Sequence, residues 1–148
     1  LGMNPGGFLF PVPLTFSGTG RGHLVRAAIE ALACTLRANL EQVEELAGVH
    51  ASEIMLGGGM TRTQTFVRIL ADVLNREVRV SPVPETTAMG AYLCARTALG
   101  EFDSLRDAAK HARTTLAVAE PDPHSAAEYQ DHYDRWLDVS ERLRNIDL

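Results

Sequence analysis

The stretch Leu56-Gly57-Gly58-Gly59-Met60-Thr61-Arg62-Thr63 is the part of this sequence best equipped for chemistry. Three glycines between a short apolar run and a helical pattern let the main chain approach a ligand closely, because no Cβ stands in the way. A helix starting just beyond such a turn offers unpaired N–H groups and the positive end of its dipole to an anion. Thr61 or Thr63 can cap that helix, or turn its hydroxyl to a phosphate or ribose oxygen. On spacing alone an alternative stays open, in which the glycines form a tight βα turn and a threonine is its N-cap. No Gly-Lys-Ser/Thr follows, so the turn is not a Walker motif.

Other side chains favour structural roles. Asp72 sits beside an apolar helical stripe, where an exposed or capping carboxylate is a better reading than a metal ligand. Glu85 stands between a strand and a helix, a place that favours a carboxylate through the helix dipole. His23, His50, His111, His124 and His132 form no i,i+4 pair and lie near no cysteine, which argues against zinc. Ser17-Gly18-Thr19-Gly20-Arg21-Gly22 reads as a hinge before a helix in preference to a second phosphate loop. Arg26 and Arg62 flank turns, where arginines are usually solvated, and the Tyr129 to Trp136 seam reads as packing.

The elements that position these groups follow from periodicity. Residues 1–22 are dense in glycine and proline, and their one apolar run, Gly7-Phe8-Leu9-Phe10, fits a short strand. Over residues 22–47, Val25, Ala28, Leu32, Leu36, Leu40 and Val43 recur at helical spacing. Arg26, Glu30, Arg37, Glu41 and Glu44 fall mostly on other faces, and Gly48 stops the helix. Glu53-Ile54-Met55-Leu56 suits a buried strand, and residues 63–74 a helix striped by Phe66, Ile69, Leu70, Val73 and Leu74. Val78-Arg79-Val80 alternates as a strand does. A helix over 87–99 follows, then one capped by Ser104 to about residue 112, and a last one over 125–145. Strand–helix–strand–helix in this order implies a parallel sheet with crossover helices, an α/β layer.

Composition bounds the function. With 14 Lys+Arg against 19 Asp+Glu the net charge is −5, which disfavours a nucleic-acid partner because phosphates require a basic face. No apolar run approaches membrane-spanning length, no secretory leader is visible, and no membrane partner is expected. Cys34 and Cys94, in apolar helical stretches, read as reduced and buried, hence cytoplasmic. A chain opening on Leu1, with three strands at most, reads as a piece of something longer.

Four segments taken in order resemble one family. These are the run from Gly57 to Thr63, Ile69-Leu70-Ala71-Asp72-Val73-Leu74, Val78-Arg79-Val80, and Glu85-Thr86-Thr87-Ala88-Met89-Gly90-Ala91-Tyr92-Leu93-Cys94-Ala95. Together they resemble the C-terminal domain of the FGGY carbohydrate kinases, of xylulokinase, gluconokinase and glycerol kinase type. Upstream, Arg21-Gly22-His23-Leu24-Val25-Arg26-Ala27-Ala28-Ile29-Glu30 resembles that family's Arg-Ala-x-x-Glu helix, so the likeness spans roughly residues 6–140. The resemblance implies part of an actin-like ATPase (ribonuclease H-like) fold with a short parallel sheet, crossover helices and a C-terminal helix. It divides the chain into a Gly/Pro-rich lead-in (1–22) and the nucleotide-side domain (23–148). It further implies ATP and Mg2+ as cofactors, a sugar or polyol substrate, and an N-terminal FGGY domain as partner. The implied nucleotide-binding residues are Gly57, Gly58, Gly59, Met60, Thr61 and Thr63, and residues 88–91 would hold the third helix close to the sheet.

The family's general base, an aspartate, belongs to the N-terminal domain, and no residue here matches it; no catalytic residue and no metal ligand is therefore assigned. Between Leu14 and Gly20 the chain also runs into its long helix where better-known members carry further strands. The isolated chain is expected to be inactive as a kinase and to self-associate, a homo-oligomer. Two alternatives stand beside this: a non-catalytic nucleotide-binding or oligomerising module of actin-like half-fold, and an unrelated α/β protein whose glycine turn binds an anion.

Overall fold

A computed structural model describes residues 20–111 and 116–144. Five helices and three strands follow in order: α1 (Arg21–Ala47), β1 (Met55–Leu56), a 3₁₀ turn (Gly59–Arg62), α2 (Gln64–Leu74), β2 (Val78–Val80), α3 (Thr86–Ala98), α4 (Leu105–His111), β3 (Ala117–Ala119) and α5 (Pro123–Arg144). The strand suggested at Gly7-Phe8-Leu9-Phe10 lies outside the described residues.

α2 carries the core. Phe66, Val67, Ile69, Leu70, Ala71, Val73 and Leu74 are all buried, so the stripe read from spacing is the face that packs. Ala33 and Cys34 of α1, Val78 of β2, and Tyr129 and Tyr133 of α5 close around it. Asn75, in the left-handed region at φ 49, ends α2, and Gly48 at φ 63 ends α1 in the same way, as expected of a residue without Cβ.

Polar contacts fix how α1, α2 and α5 meet. The Arg37 guanidinium donates to the Val73 carbonyl (2.9 Å), to Gln130 Oε1 (2.8 Å) and to Glu41 Oε1 (2.8 Å), and lies 4.0 Å from the centre of the Tyr133 ring. The Tyr133 hydroxyl donates to Glu41 Oε2 (2.6 Å) and that of Tyr129 to Glu30 Oε1 (2.8 Å). Burial, then the Glu30 hydrogen bond, push the Tyr129 phenol up to about 12, so both phenols stay donors at neutral pH. Asp72 accepts from the Asp122 N–H (2.8 Å), and Asp122 Oδ1 accepts from the Ser125 N–H (2.8 Å) to cap α5. Asp72 is therefore the structural carboxylate its position suggested. Ser104 caps α4 as expected, its hydroxyl accepting from the Asp107 N–H at 3.1 Å.

Glu44 joins the end of α1 to the loop after it and to α2. It accepts from Arg76 Nη1 (2.9 Å) and from the Ala51 N–H (2.8 Å), and faces His50 Nδ1 at 2.8 Å. The Arg76 hydrogen bond, then that of Ala51, hold its carboxyl below the ordinary 4.5. A carboxylate with a depressed native pKa stabilises the fold above its unfolded value and loses that contribution as pH falls through the native one. The gap in unfolding midpoint between the parent chain and Glu44→Gln should accordingly be constant above that ordinary value and close on further acidification. A gap that ignores pH there contradicts the assignment.

The structure corrects four expectations. β1 and β2 pair in parallel, Met55 opposite Arg79 and Leu56 opposite Val80, but a third strand, unforeseen from sequence, pairs antiparallel to β2, so the sheet is mixed. The suggested strand at 53–56 is shorter and less buried, with Met55 exposed. Cys94 is exposed where burial was expected, because α3 buries none of its residues; Cys34 is buried, and burial pushes its thiol up to about 11. Most of the apolar stripe of α1 is also uncovered: Val25, Leu32, Leu36 and Val43 are exposed, whereas Leu40 packs against the core to which α1 contributes Ala33 and Cys34.

Candidate functional site

β1 runs directly into the glycine corner, and each of its three glycines has a different role. A Cβ on Gly57 would lie 2.3 Å from the Thr86 Cγ2 atom, so Gly57 permits the start of α3 to close on the turn. Gly58 sits at φ 107, ψ 173, a region essentially reserved for glycine. At Gly59 the added atom would meet nothing within 4 Å; there the glycine leaves open space in front of the main chain.

Beyond the corner the chain makes one 3₁₀ turn before α2. The Gly58 carbonyl accepts both the Thr61 N–H (3.1 Å) and the Thr61 hydroxyl (2.7 Å). Thr61 is thus folded back on the turn and does not cap α2. The Thr63 carbonyl accepts from Phe66 and Val67, making Thr63 the N-cap residue, yet its side chain makes no capping hydrogen bond and is exposed. Gly59 and Met60 N–H precede the first internal bond of the 3₁₀ turn, and Gln64 and Thr65 N–H precede that of α2. Met60 itself is exposed.

The second wall comes from the loop after β2. Since β1 and β2 are parallel, their carboxyl ends lie at one edge, which brings the N-termini of α2 and α3 to the same side. The Ser81 N–H donates to the Leu56 carbonyl (2.8 Å), and Arg62 pairs with Glu85, the N-cap residue of α3. Gly57, Gly58, Gly59, Met60, Thr61 and Thr63 therefore share one exposed corner with Arg62, Glu85 and Thr86. Sequence reasoning treated Arg62 and Glu85 separately; the strand–helix–strand pattern, which sends both loops to one sheet edge, was the signal that joins them.

The remaining candidates lie elsewhere. Arg26 is held between Glu30 and the Tyr129 hydroxyl, in an open groove of about 160 Å³ between α1 and α5. His23 Nδ1 accepts from the Gly20 N–H, and His50 pairs with Glu44. Among the described residues no three His, Cys, Asp or Glu side chains are grouped to hold a metal, and no helix is long and apolar enough to cross a membrane. Residues 17–19 of the suggested hinge lie outside the described residues. Residues 88–91 do not hold α3 on the sheet: a Cβ on Gly90 would meet nothing within 4 Å, and α3 packs chiefly on α4. Small side chains permit close approach but supply little apolar area to hold it.

With this geometry in place, comparison with known proteins is informative. The model of the FGGY family of carbohydrate kinases, C-terminal domain, matches residues 7–99. A glycerol kinase of Thermococcus gammatolerans is 41% identical over 90 residues, 61% of this chain and 18% of that protein. An autoinducer-2 kinase of Escherichia coli is 31% identical over 116 residues, 78% of this chain and 22% of that protein. The crystal structure of Plasmodium falciparum glycerol kinase with ADP superposes with a TM-score of 0.69 at 27% identity, covering 93% of this chain and 27% of that one. The chain thus spans about a fifth of the length of these curated relatives.

Proposed function

Because the chain belongs to the FGGY family of carbohydrate kinases, whose C-terminal domain its residues 7–99 match, we propose that it forms the ATP side of a sugar kinase and needs a second domain for catalysis. Its fold is part of the actin-like ATPase fold of those kinases. One observation carries the reading: an open glycine corner, strained at Gly58 and bare at Gly59, at the edge where two helix N-termini meet. Amides and dipoles so placed suit the phosphates of a nucleotide, and the uncommitted Thr63 hydroxyl suits a ribose or phosphate oxygen.

In the intact enzyme MgATP would supply the phosphoryl group, and a sugar or polyol hydroxyl would receive it. Positioning and charge neutralisation carry most of such a reaction. This chain's share is to hold the diphosphate against Gly57, Gly58, Gly59 and Met60, with Thr61 bracing the turn through Gly58. The base that takes the hydroxyl proton would come from the N-terminal domain, as the family resemblance implies. Both cysteines are free, in keeping with a cytoplasmic home.

Titration with ADP, followed by amide hydrogen exchange, tests the site. ADP is expected to protect residues 58–63 and inorganic phosphate to leave them unchanged; no protection by ADP overturns the assignment. Sugar-dependent ATP turnover by the chain alone would overturn its dependence on a second domain. The non-catalytic alternative is separated by whether an aspartate-bearing N-terminal half precedes it in the same reading frame.

A further inference from the structure

Arg62 and Glu85 are the one cation and the one carboxylate at the glycine corner, since neither residues 57–63 nor residues 81–87 hold another charged side chain. They come from different loops, and Thr86, next to Glu85, is the residue on which Gly57 closes. The fold draws little from the pair. Both side chains are largely exposed, at 65% and 61%, and an exposed ion pair stabilises little. Glu85 is the N-cap residue of α3, yet its carboxylate makes no capping hydrogen bond and is given to Arg62 instead. Among the described residues Glu85 is the guanidinium's only partner, which leaves most of its donor fork unused. The 3₁₀ turn sets the direction of Arg62. With about three residues per turn, side chains at i and i+3 eclipse, so Arg62 rises on the same side of the turn as Gly59, its first residue. That side is the bare one, because a Cβ on Gly59 would meet nothing within 4 Å.

We propose that Arg62 is a phosphate-binding residue of this corner, and that Glu85 is its resting partner, displaced when a nucleoside diphosphate enters. The inference rests on the nucleotide reading above and adds a full charge to it, where the glycine amides offer only partial ones. A guanidinium holds a phosphate through paired, charge-assisted hydrogen bonds, and a diphosphate carries more negative charge than one carboxylate, so the exchange favours the ligand. In the empty corner Glu85 neutralises Arg62 and occupies its fork. An entering anion must therefore outcompete a carboxylate already in place, which selects for the multiply charged ligand over a simple carboxylate.

The test titrates ADP into the full chain and into its double variant Arg62→Gln with Glu85→Gln, which removes the guanidinium but leaves the net charge of the corner as it was. Calorimetry is expected to show the double variant binding ADP roughly tenfold more weakly, with a shallower loss of affinity as NaCl is raised. Glu85→Gln alone, which releases the guanidinium, is expected to tighten ADP binding by roughly threefold. The unfolding midpoint of both variants should stay within about 2 °C of the parent, because the pair is exposed. ADP affinity of the double variant within about twofold of the parent overturns the role of Arg62 and leaves the nucleotide reading standing. Unchanged or weaker binding by Glu85→Gln overturns the displacement, and a midpoint lowered by more than about 5 °C makes the pair structural and overturns it too. No binding of ADP by the parent chain overturns both readings.

Discussion

Gly59→Ala is expected to weaken ADP binding by roughly tenfold or more, the equivalent of about 1.4 kcal/mol, while leaving the unfolding midpoint almost unchanged. The expectation follows from what a Cβ would meet. At Gly59 it meets nothing within 4 Å, and the backbone there is not left-handed, so the fold has no reason to object. A ligand lying against the main chain does object, because its closest approach has been taken. The variant therefore separates the two explanations of the glycine run. A tight βα turn tolerates alanine at this position, whereas a phosphate cradle does not. Its neighbours are internal references. Gly58→Ala must strain a φ of 107 at a cost of about 1–3 kcal/mol, and Gly57→Ala drives a methyl into Thr86, so both perturb the corner with or without a ligand. ADP affinity by calorimetry and midpoint by circular dichroism, taken together, give the answer. Unchanged affinity in Gly59→Ala would remove the corner from the nucleotide site.

Leu70→Ala is expected to cost about 3 kcal/mol, within the range of roughly 2–5 kcal/mol for buried leucines. Leu70 is 1% exposed and sits on α2, in the same buried cluster as Ala33 and Cys34 of α1 and Tyr129 and Tyr133 of α5. Its neighbours cannot collapse freely into the space, because Arg37 ties α1 to Val73 and Gln130 at the same junction. Urea unfolding followed at 222 nm reads the loss directly. A change below about 1 kcal/mol would place the weight of the core outside α2.

Which features were legible in the residues depends on whether their cause is local. The α2 stripe was, since a 3.6-residue apolar period and a buried face coincide when a helix is enclosed by its own domain. The α1 stripe was just as regular, yet Leu40 alone of its large side chains packs on the core while Val25, Leu32, Leu36 and Val43 stay exposed: periodicity says that one face is apolar, not which neighbour is present to cover it. Ala117–Ala119 left no signal, because alanine has little strand propensity and an edge strand of three residues is made by its partner, Val78–Val80. At the site, the glycine corner was legible because a need for absent side chains is written in composition. That Thr61 turns back to Gly58 while Thr63 stays free depends on the 3₁₀ turn, which hydroxyl chemistry alone does not specify.

The residues by themselves determined the α/β class, the family likeness and the bare main-chain corner, all properties of short contiguous stretches. Tertiary structure alone decided that Arg62 meets Glu85 across two loops, that a third strand runs antiparallel, and that α1 leaves most of its apolar stripe exposed. These outcomes depend on which surfaces compete for burial once distant segments meet, and no local pattern encodes that competition.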